Sequence, residues 1–143
     1  MKMKIIFVCK HNRFRSKTAE AYFKKINKNK NISVSSGGII KGIPVAKTVV
    51  KAGKELGIKI SRKTRCLREK DLVAADLIII TANDVPRELF KPRFKKVRLW
   101  KFPDTNQDNK KSIKKIMKGI MEKTRELNKT LKLKSRKKKG KKK

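Results

Sequence analysis

Apolar positions along this chain alternate between short continuous runs and stripes of helical period. "KIIFV" (residues 4–8) is a β-rich run of the kind that is buried on both faces of a parallel sheet. After a polar loop the period changes. From Ser16, "SKTAEAYFKKINK" sets Ala19, Tyr22, Phe23 and Ile26 at spacings of three and four, which predicts an amphipathic helix with Ser16 as its N-cap. "ISVSSGG" (32–38) reads as a second strand ending at a glycine pair, and "VAKTVVKAGKEL" (45–56) as a helix closed by Gly57. A short "IKI" segment precedes a helix around Glu69 to Ala75. "DLIIIT" (76–81) is the most strand-like run and is expected to be central; "VPRELF" suggests a helical turn and "KVRLW" (96–100) a fourth strand. Lys110 to Leu131 predicts a long helix with Ile113, Ile116, Met117, Ile120, Met121 and Leu127 on its inner side.

Strands alternating with helices imply an α/β protein: a single-domain three-layer fold with a four-stranded parallel sheet and helices on both faces. No internal repeat is present. In such sheets the loops at the carboxyl ends of the strands share one edge, where ligands bind. Cys9, Ser36, Asp84 and Asp104 all follow predicted strands and can meet there.

Composition narrows the picture. A chain of 143 residues suits one domain, here residues 1–131, followed by a disordered lysine-rich tail over 132–143. The formal charge is +33, and the nine Lys or Arg of the tail leave +24 on the rest. Basicity is therefore distributed, and nonspecific contact with nucleic acid through the basic surface and tail is one reading of it. The tail has no aromatic residue to stack on a base and no sequence-reading motif. Two cysteines, Cys9 and Cys66, without a secretory leader imply a reducing, cytoplasmic setting. Runs such as Leu77 to Ile80 are too short for a membrane span. Oligomeric state is not readable from the sequence.

The chemistry concentrates in "FVCKHNRFRSKTAEA" (7–21). A thiol at the end of a strand is followed by a short loop and a helix start. Backbone N–H groups of Lys10, His11, Asn12, Arg13 and Phe14 can curl there into a nest for a tetrahedral oxyanion, with the positive helix end behind them. That environment favours thiolate over thiol at Cys9. The sulfur could attack phosphorus in line while the Arg15 guanidinium grips two equatorial oxygens. A leaving oxygen also needs a proton. Asp104, in "WKFPDTNQD", lies on the correct edge and is the first candidate acid, with Asp84 its rival and Asp108 a third. Chance would produce Cys-x5-Arg-Ser in this composition only about 1% of the time, so the motif is informative.

Cys9-x-x-Asn12-x-x-Arg15-Ser16, with "FV" before it and "AEA" after, resembles the phosphate-binding loop of the low-molecular-weight protein tyrosine phosphatase family, which includes thioredoxin-coupled arsenate reductases. "SSGG", "ELGI", "DLIIIT" and "FPDT" resemble further family segments as far as about residue 130. The resemblance implies a phosphomonoester hydrolase, above all a protein tyrosine phosphatase working through a cysteinyl-phosphate. Its substrate would be a phosphorylated protein or a small phosphomonoester. Cys9 would be the nucleophile, Arg15 the phosphate clamp and Asp104 the acid. Asn12 would hold the loop in a left-handed turn, Ser16 would hydrogen-bond the sulfur, and Ser36, or Ser35 in another register, would tie Asn12 in place.

The departures from the family pattern are equally specific. His11 stands where many phosphatases have Gly, a feature familiar among the arsenate reductases. Phe14 replaces a frequent second cysteine, and Asp104 is followed by Thr105 with no Tyr beyond. The aromatic wall of a strong phosphotyrosine binder is thus missing unless Phe14, Trp100 or Phe102 supplies it. Arsenate reduction is the alternative enzyme reading. "TANDVPRELF" holds none of the cysteines that chemistry passes along, and Cys66 lies before the third strand, so an external thiol would be needed. A polyanion-binding protein with a vestigial loop is the alternative of another class. As the single histidine, His11 has no companion ligands, and neither a metal nor a cofactor is expected.

Overall fold

The computed structural model describes residues 2–40, 43–90 and 96–141, with side chains as far as Lys132. Four strands form one sheet: β1 (Met3–Cys9), β2 (Ile32–Gly38), β3 (Leu77–Ile80) and β4 (Val97–Leu99). Their order is β2-β1-β3-β4, and every pairing is parallel. β1 therefore lies inside the sheet. Its run Ile5–Cys9 is wholly buried, and from Ile5 to Val8 alternate side chains enter opposite cores, as the pleat requires. Ile5 and Phe7 pack with Leu77, Ile79, Ala19, Phe23, Ile120 and Leu127. Ile6 and Val8 pack with Ile78, Ile80, Val85 and Phe90 on the other side.

The helices are α1 (Arg15–Ile26), α2 (Lys47–Glu55), α3 (Glu69–Ala74) and α4 (Lys110–Lys141), with a 3-10 turn at Arg87–Leu89. α1 and α4 cover one face and clasp each other through Arg125, whose guanidinium donates to the Tyr22 hydroxyl at 2.9 and 3.2 Å. α2 joins them around Val49, Ala52, Tyr22, Ile113 and Met117. The opposite face carries, among the described helical elements, the short α3 and the 3-10 turn, with Leu72, Val85 and Phe90 against the sheet. No helix among the described residues is long and apolar enough to cross a membrane.

Most boundaries fall within two residues of expectation, and two differences have a physical reason. α1 starts at Arg15, with Phe14 in the cap position and no side-chain cap, so Ser16 is not the N-cap. Its hydroxyl is drawn instead to the sulfur of Cys9 and the amide of Asn12. α4 does not stop at Leu131: its backbone is helical to Lys141, through residues expected to be disordered. Lys, Leu and Arg are strong helix formers and no proline intervenes. The side chains of 133–141 and all of 142–143 lie outside the described residues.

Candidate active site

The carboxyl ends of the strands bring the predicted residues to one edge. Cys9 ends β1 and is buried. The loop beyond it is bracketed on both sides. Ile39 and Ile40 donate to the carbonyls of Cys9 and Lys10 at 3.2 and 3.0 Å, extending the β1–β2 pairing. On the far side of β2, residues 65–67 form a strap: Gly38 N–H donates to Arg65 O at 2.8 Å, and Leu67 N–H to Gly38 O at 2.9 Å. Gly38 is required at this crossing. A Cβ there would lie 2.6 Å from the His11 carbonyl carbon and 2.8 Å from Asn12 N.

Asn12 is the keystone of the loop. It is buried at φ 56°, the left-handed region that Asn tolerates through its short polar side chain. Arg65 N–H donates to its Oδ1 at 2.9 Å, which fixes the amide orientation. Nδ2 then donates to Ser16 Oγ at 2.8 Å and to Ser36 Oγ at 2.9 Å. Because each hydroxyl is accepting, each has its own proton free. Ser36 spends it on Glu20 Oε1 at 2.7 Å. Ser16 Oγ lies 3.0 Å from Cys9 Sγ, within hydrogen-bond distance of the sulfur.

α1 begins without a side-chain cap and without an acid in its first turn, which leaves its positive end available to an anion. Arg15 is buried in that turn. Its guanidinium donates to Phe102 O at 3.0 Å and pairs with Asp84, with Nη2 3.0 Å from Oδ1. Asp84 therefore faces the arginine. Asp104 instead lines a cavity of about 40 Å³ together with Cys9, Arg15 and Phe14. His11, Arg13 and Gln107 complete its rim. Such a volume suits a small oxyanion head and is far below that of a drug-sized pocket. Asp104 accepts from Thr105 N–H at 2.9 Å and Gln107 Nε2 at 3.4 Å, both on Oδ1; Oδ2 takes neither. Asp108 is exposed and outside this lining.

Trp100 and Phe102 turn away from the cavity. Trp100 packs on Phe7 at 5.9 Å between ring centroids and edge-on to Phe102 at 6.4 Å. Of the three candidate wall aromatics, only Phe14 lines the site. Arg13 Nε donates to Pro44 O at 3.2 Å, which holds this rim residue. Lys17, in the first turn of α1, is buried and donates to Ser61 Oγ at 2.9 Å and Lys63 O at 2.8 Å, tying α1 to the segment that leads into the strap. Burial lowers the Lys17 pKa from its usual value; Glu20 opposes that shift and Lys24 adds to it. The strap, Glu20 and Gln107 were not found by sequence reasoning. Arg65 acts through its backbone N–H, which leaves no residue-type signal. No group of three or more metal-ligating side chains occurs among the described residues.

One small cavity at the carboxyl edge of the parallel sheet is thus lined by the buried cysteine that ends β1, the arginine in the first turn of α1 and an aspartate beyond β4. The chain belongs to the low molecular weight phosphotyrosine protein phosphatase family, whose profile matches residues 4–138. Among solved structures it is similar to a low molecular weight protein tyrosine phosphatase from T. tengcongensis, at 28% identity, covering 87% of this chain and 99% of that one, with a TM-score of 0.70. Arsenate reductase from Archaeoglobus fulgidus is 26% identical, with 87% and 98% covered and a TM-score of 0.69. A Cys-to-Ser variant of the YwlE arginine phosphatase, its active-site serine phosphorylated, is also 26% identical, with 91% and 96% covered and a TM-score of 0.78. No curated protein matches the chain.

Proposed function

We propose that this chain hydrolyses phosphomonoesters, phosphotyrosyl proteins foremost, through a cysteinyl-phosphate on Cys9. The observation that carries the reading is the hydrogen-bonded chain from Arg65 N–H through the Asn12 amide and the Ser16 hydroxyl to the Cys9 sulfur. It holds a hydroxyl beside a sulfur that must act first as nucleophile and then as leaving group. In the first step the Cys9 thiolate attacks phosphorus, the bond to the leaving oxygen breaks, and Asp104 gives that oxygen its proton. Arg15 and the start of α1 hold the equatorial oxygens, where transition-state charge accumulates. In the second step water attacks phosphorus, Asp104 takes its proton, and sulfur leaves as thiolate with the Ser16 hydroxyl donating to it. The phosphorylated active-site serine of the similar arginine phosphatase is consistent with a covalent step at this loop position.

Arsenate reduction is the second reading, favoured by the similarity to the Archaeoglobus enzyme. Gly38 pairs with Cys9 on one side and bridges Cys66 on the other. Two ladder spacings of about 4.8 Å put the two Cα atoms roughly 10 Å apart, beyond the 7 Å or so that a disulfide spans. An external thiol would therefore have to resolve the oxidised Cys9. The deciding experiment assays aryl phosphate hydrolysis and thiol-dependent arsenate reduction on one preparation. Hydrolysis with a trapped phosphorylated Cys9 supports the phosphatase reading; arsenate turnover dependent on thioredoxin or glutathione, without hydrolysis, overturns it.

A further inference from the structure

We propose that Gln107 positions the water that hydrolyses the cysteinyl-phosphate, acting through its side-chain carbonyl in the second chemical step only. The inference rests on the phosphatase reading above and adds to it a residue that the loop motif does not contain. Gln107 follows the fourth strand, three residues beyond Asp104, and lines the same cavity as Cys9 and Arg15. Its amide orientation is decided by its neighbours. Nε2 donates to Thr105 O at 2.9 Å and approaches Asp104 Oδ1 at 3.4 Å. Both are acceptors, so the nitrogen must face them and the oxygen must face elsewhere. Oε1 is buried and receives no hydrogen bond among the described residues.

A shielded acceptor without a donor is uncommon and calls for a reason. Its place beside the candidate acid supplies one. After the first step the leaving group departs, and water must approach phosphorus from the side that Asp104 faces. That water carries two protons. One goes to Asp104 as the O–P bond forms, the S–P bond breaks and the electron pair returns to Cys9 sulfur. The other stays on the product phosphate and, during attack, can be donated as a hydrogen bond to Gln107 Oε1, which orients the oxygen lone pair toward phosphorus. The first step has no such requirement, because the sulfur is already placed by Ser16 and the loop.

An alcohol separates this role from a merely structural one. Methanol has a single hydroxyl proton, which Asp104 would take; it has none left for Gln107. Removing the Gln107 carbonyl should therefore slow attack by water and leave attack by methanol nearly untouched. The experiment uses the full chain with p-nitrophenyl phosphate, with and without methanol, and reads the ratio of methyl phosphate to inorganic phosphate. It also reads the pre-steady-state burst of nitrophenol. For Gln107→Met and Gln107→Ala, the expected result is an acid-trappable phosphorylated Cys9 that accumulates. The burst should stand at one equivalent and the methyl phosphate ratio should rise roughly tenfold. Gln107→Glu keeps an acceptor at the same reach and should keep the wild-type ratio. Inhibition by inorganic phosphate checks that each variant retains its fold. If Gln107 only steadied Asp104, both acceptors would slow together, and a ratio within twofold of wild type overturns the proposal. Absence of any phosphorylated cysteine in the wild-type protein refutes the underlying phosphatase reading instead.

Discussion

Two adjacent glycines invite the same substitution and should answer it differently. At Gly38 a new Cβ would meet the backbone of the loop that follows β1: His11 C at 2.6 Å, Asn12 N at 2.8 Å and His11 Cα at 2.9 Å. None of these atoms can swing away. Ordinary contact begins near 3.4 Å, so the loop must retreat from β2 by roughly 0.8 Å, and overpacking of this kind costs about 1–3 kcal/mol. A displacement of that size at the reacting centre costs about ten- to a hundredfold in kcat/KM. At Gly37 the new Cβ would meet Leu67 Cδ2 at 2.6 Å, the free end of a half-buried side chain. Rotating it off its preferred rotamer costs about 1 kcal/mol and should leave kcat/KM within about twofold of wild type. Urea denaturation and aryl phosphate kinetics on Gly38→Ala and Gly37→Ala test the pair. Equal kinetic losses, or a fully active Gly38→Ala protein, would refute the argument that the end of β2 is the template against which the loop is cast.

Other consequences are sharper in their sign than in their size. Asp104→Ala should slow esters of poor leaving groups far more than those of good ones, whereas Asp84→Ala, by freeing the Arg15 fork, should lower kcat/KM for all of them alike; reversal in a leaving-group series would exchange the two roles. Asn12→Ala loses three side-chain hydrogen bonds at about 1 kcal/mol each and strains a left-handed residue by about 1 kcal/mol more; Asn12→Gly loses only the bonds, so it should be the more stable variant by that last increment in urea melts. Lys17 releases its proton in the folded state at a lower pH than the unfolded chain does. The unfolded state therefore binds more protons in the window just below the usual lysine value of 10.5, and stability relative to Lys17→Met should rise with pH through it. A fall in parallel denaturant titrations would mean that burial does not dominate at this ammonium.

The sheet was legible because β1 and β3 are apolar runs with no competing period, and because Gly57, at φ 83°, marks the end of α2 where a left-handed residue is needed. The sulfur, the arginine and the loop serine sit within one local motif, so their proximity could be read directly. What escaped was long-range and backbone-borne. Asp84 and Asp104 are equivalent as residues following strands, and only the three-dimensional arrangement turns one toward Arg15 and the other toward the cavity. Ser16 suited an N-cap as well as a sulfur partner; the helix starts two residues earlier, with buried Phe14 in the cap position, which leaves Ser16 to the sulfur. The strap at 65–67 carries Arg, Cys and Leu in no apolar period, yet its N–H and carbonyl groups brace the loop. α4 outran its expected end because charge argues for disorder in a lysine run, while helix propensity argues against it.

Translation proceeds from the amino terminus, so the ribosome releases the Cys9 thiol long before its surroundings exist. Ser36 emerges next, the Arg65 amide well after it, and Asp104 last of these. Until then the nascent chain exposes an unguarded sulfur to any oxidant or alkylating agent it meets. Arrested chains that display residues 1–60 should consume iodoacetamide at Cys9 like a simple peptide thiol; protection at that length would mean the pocket matures earlier than its brace.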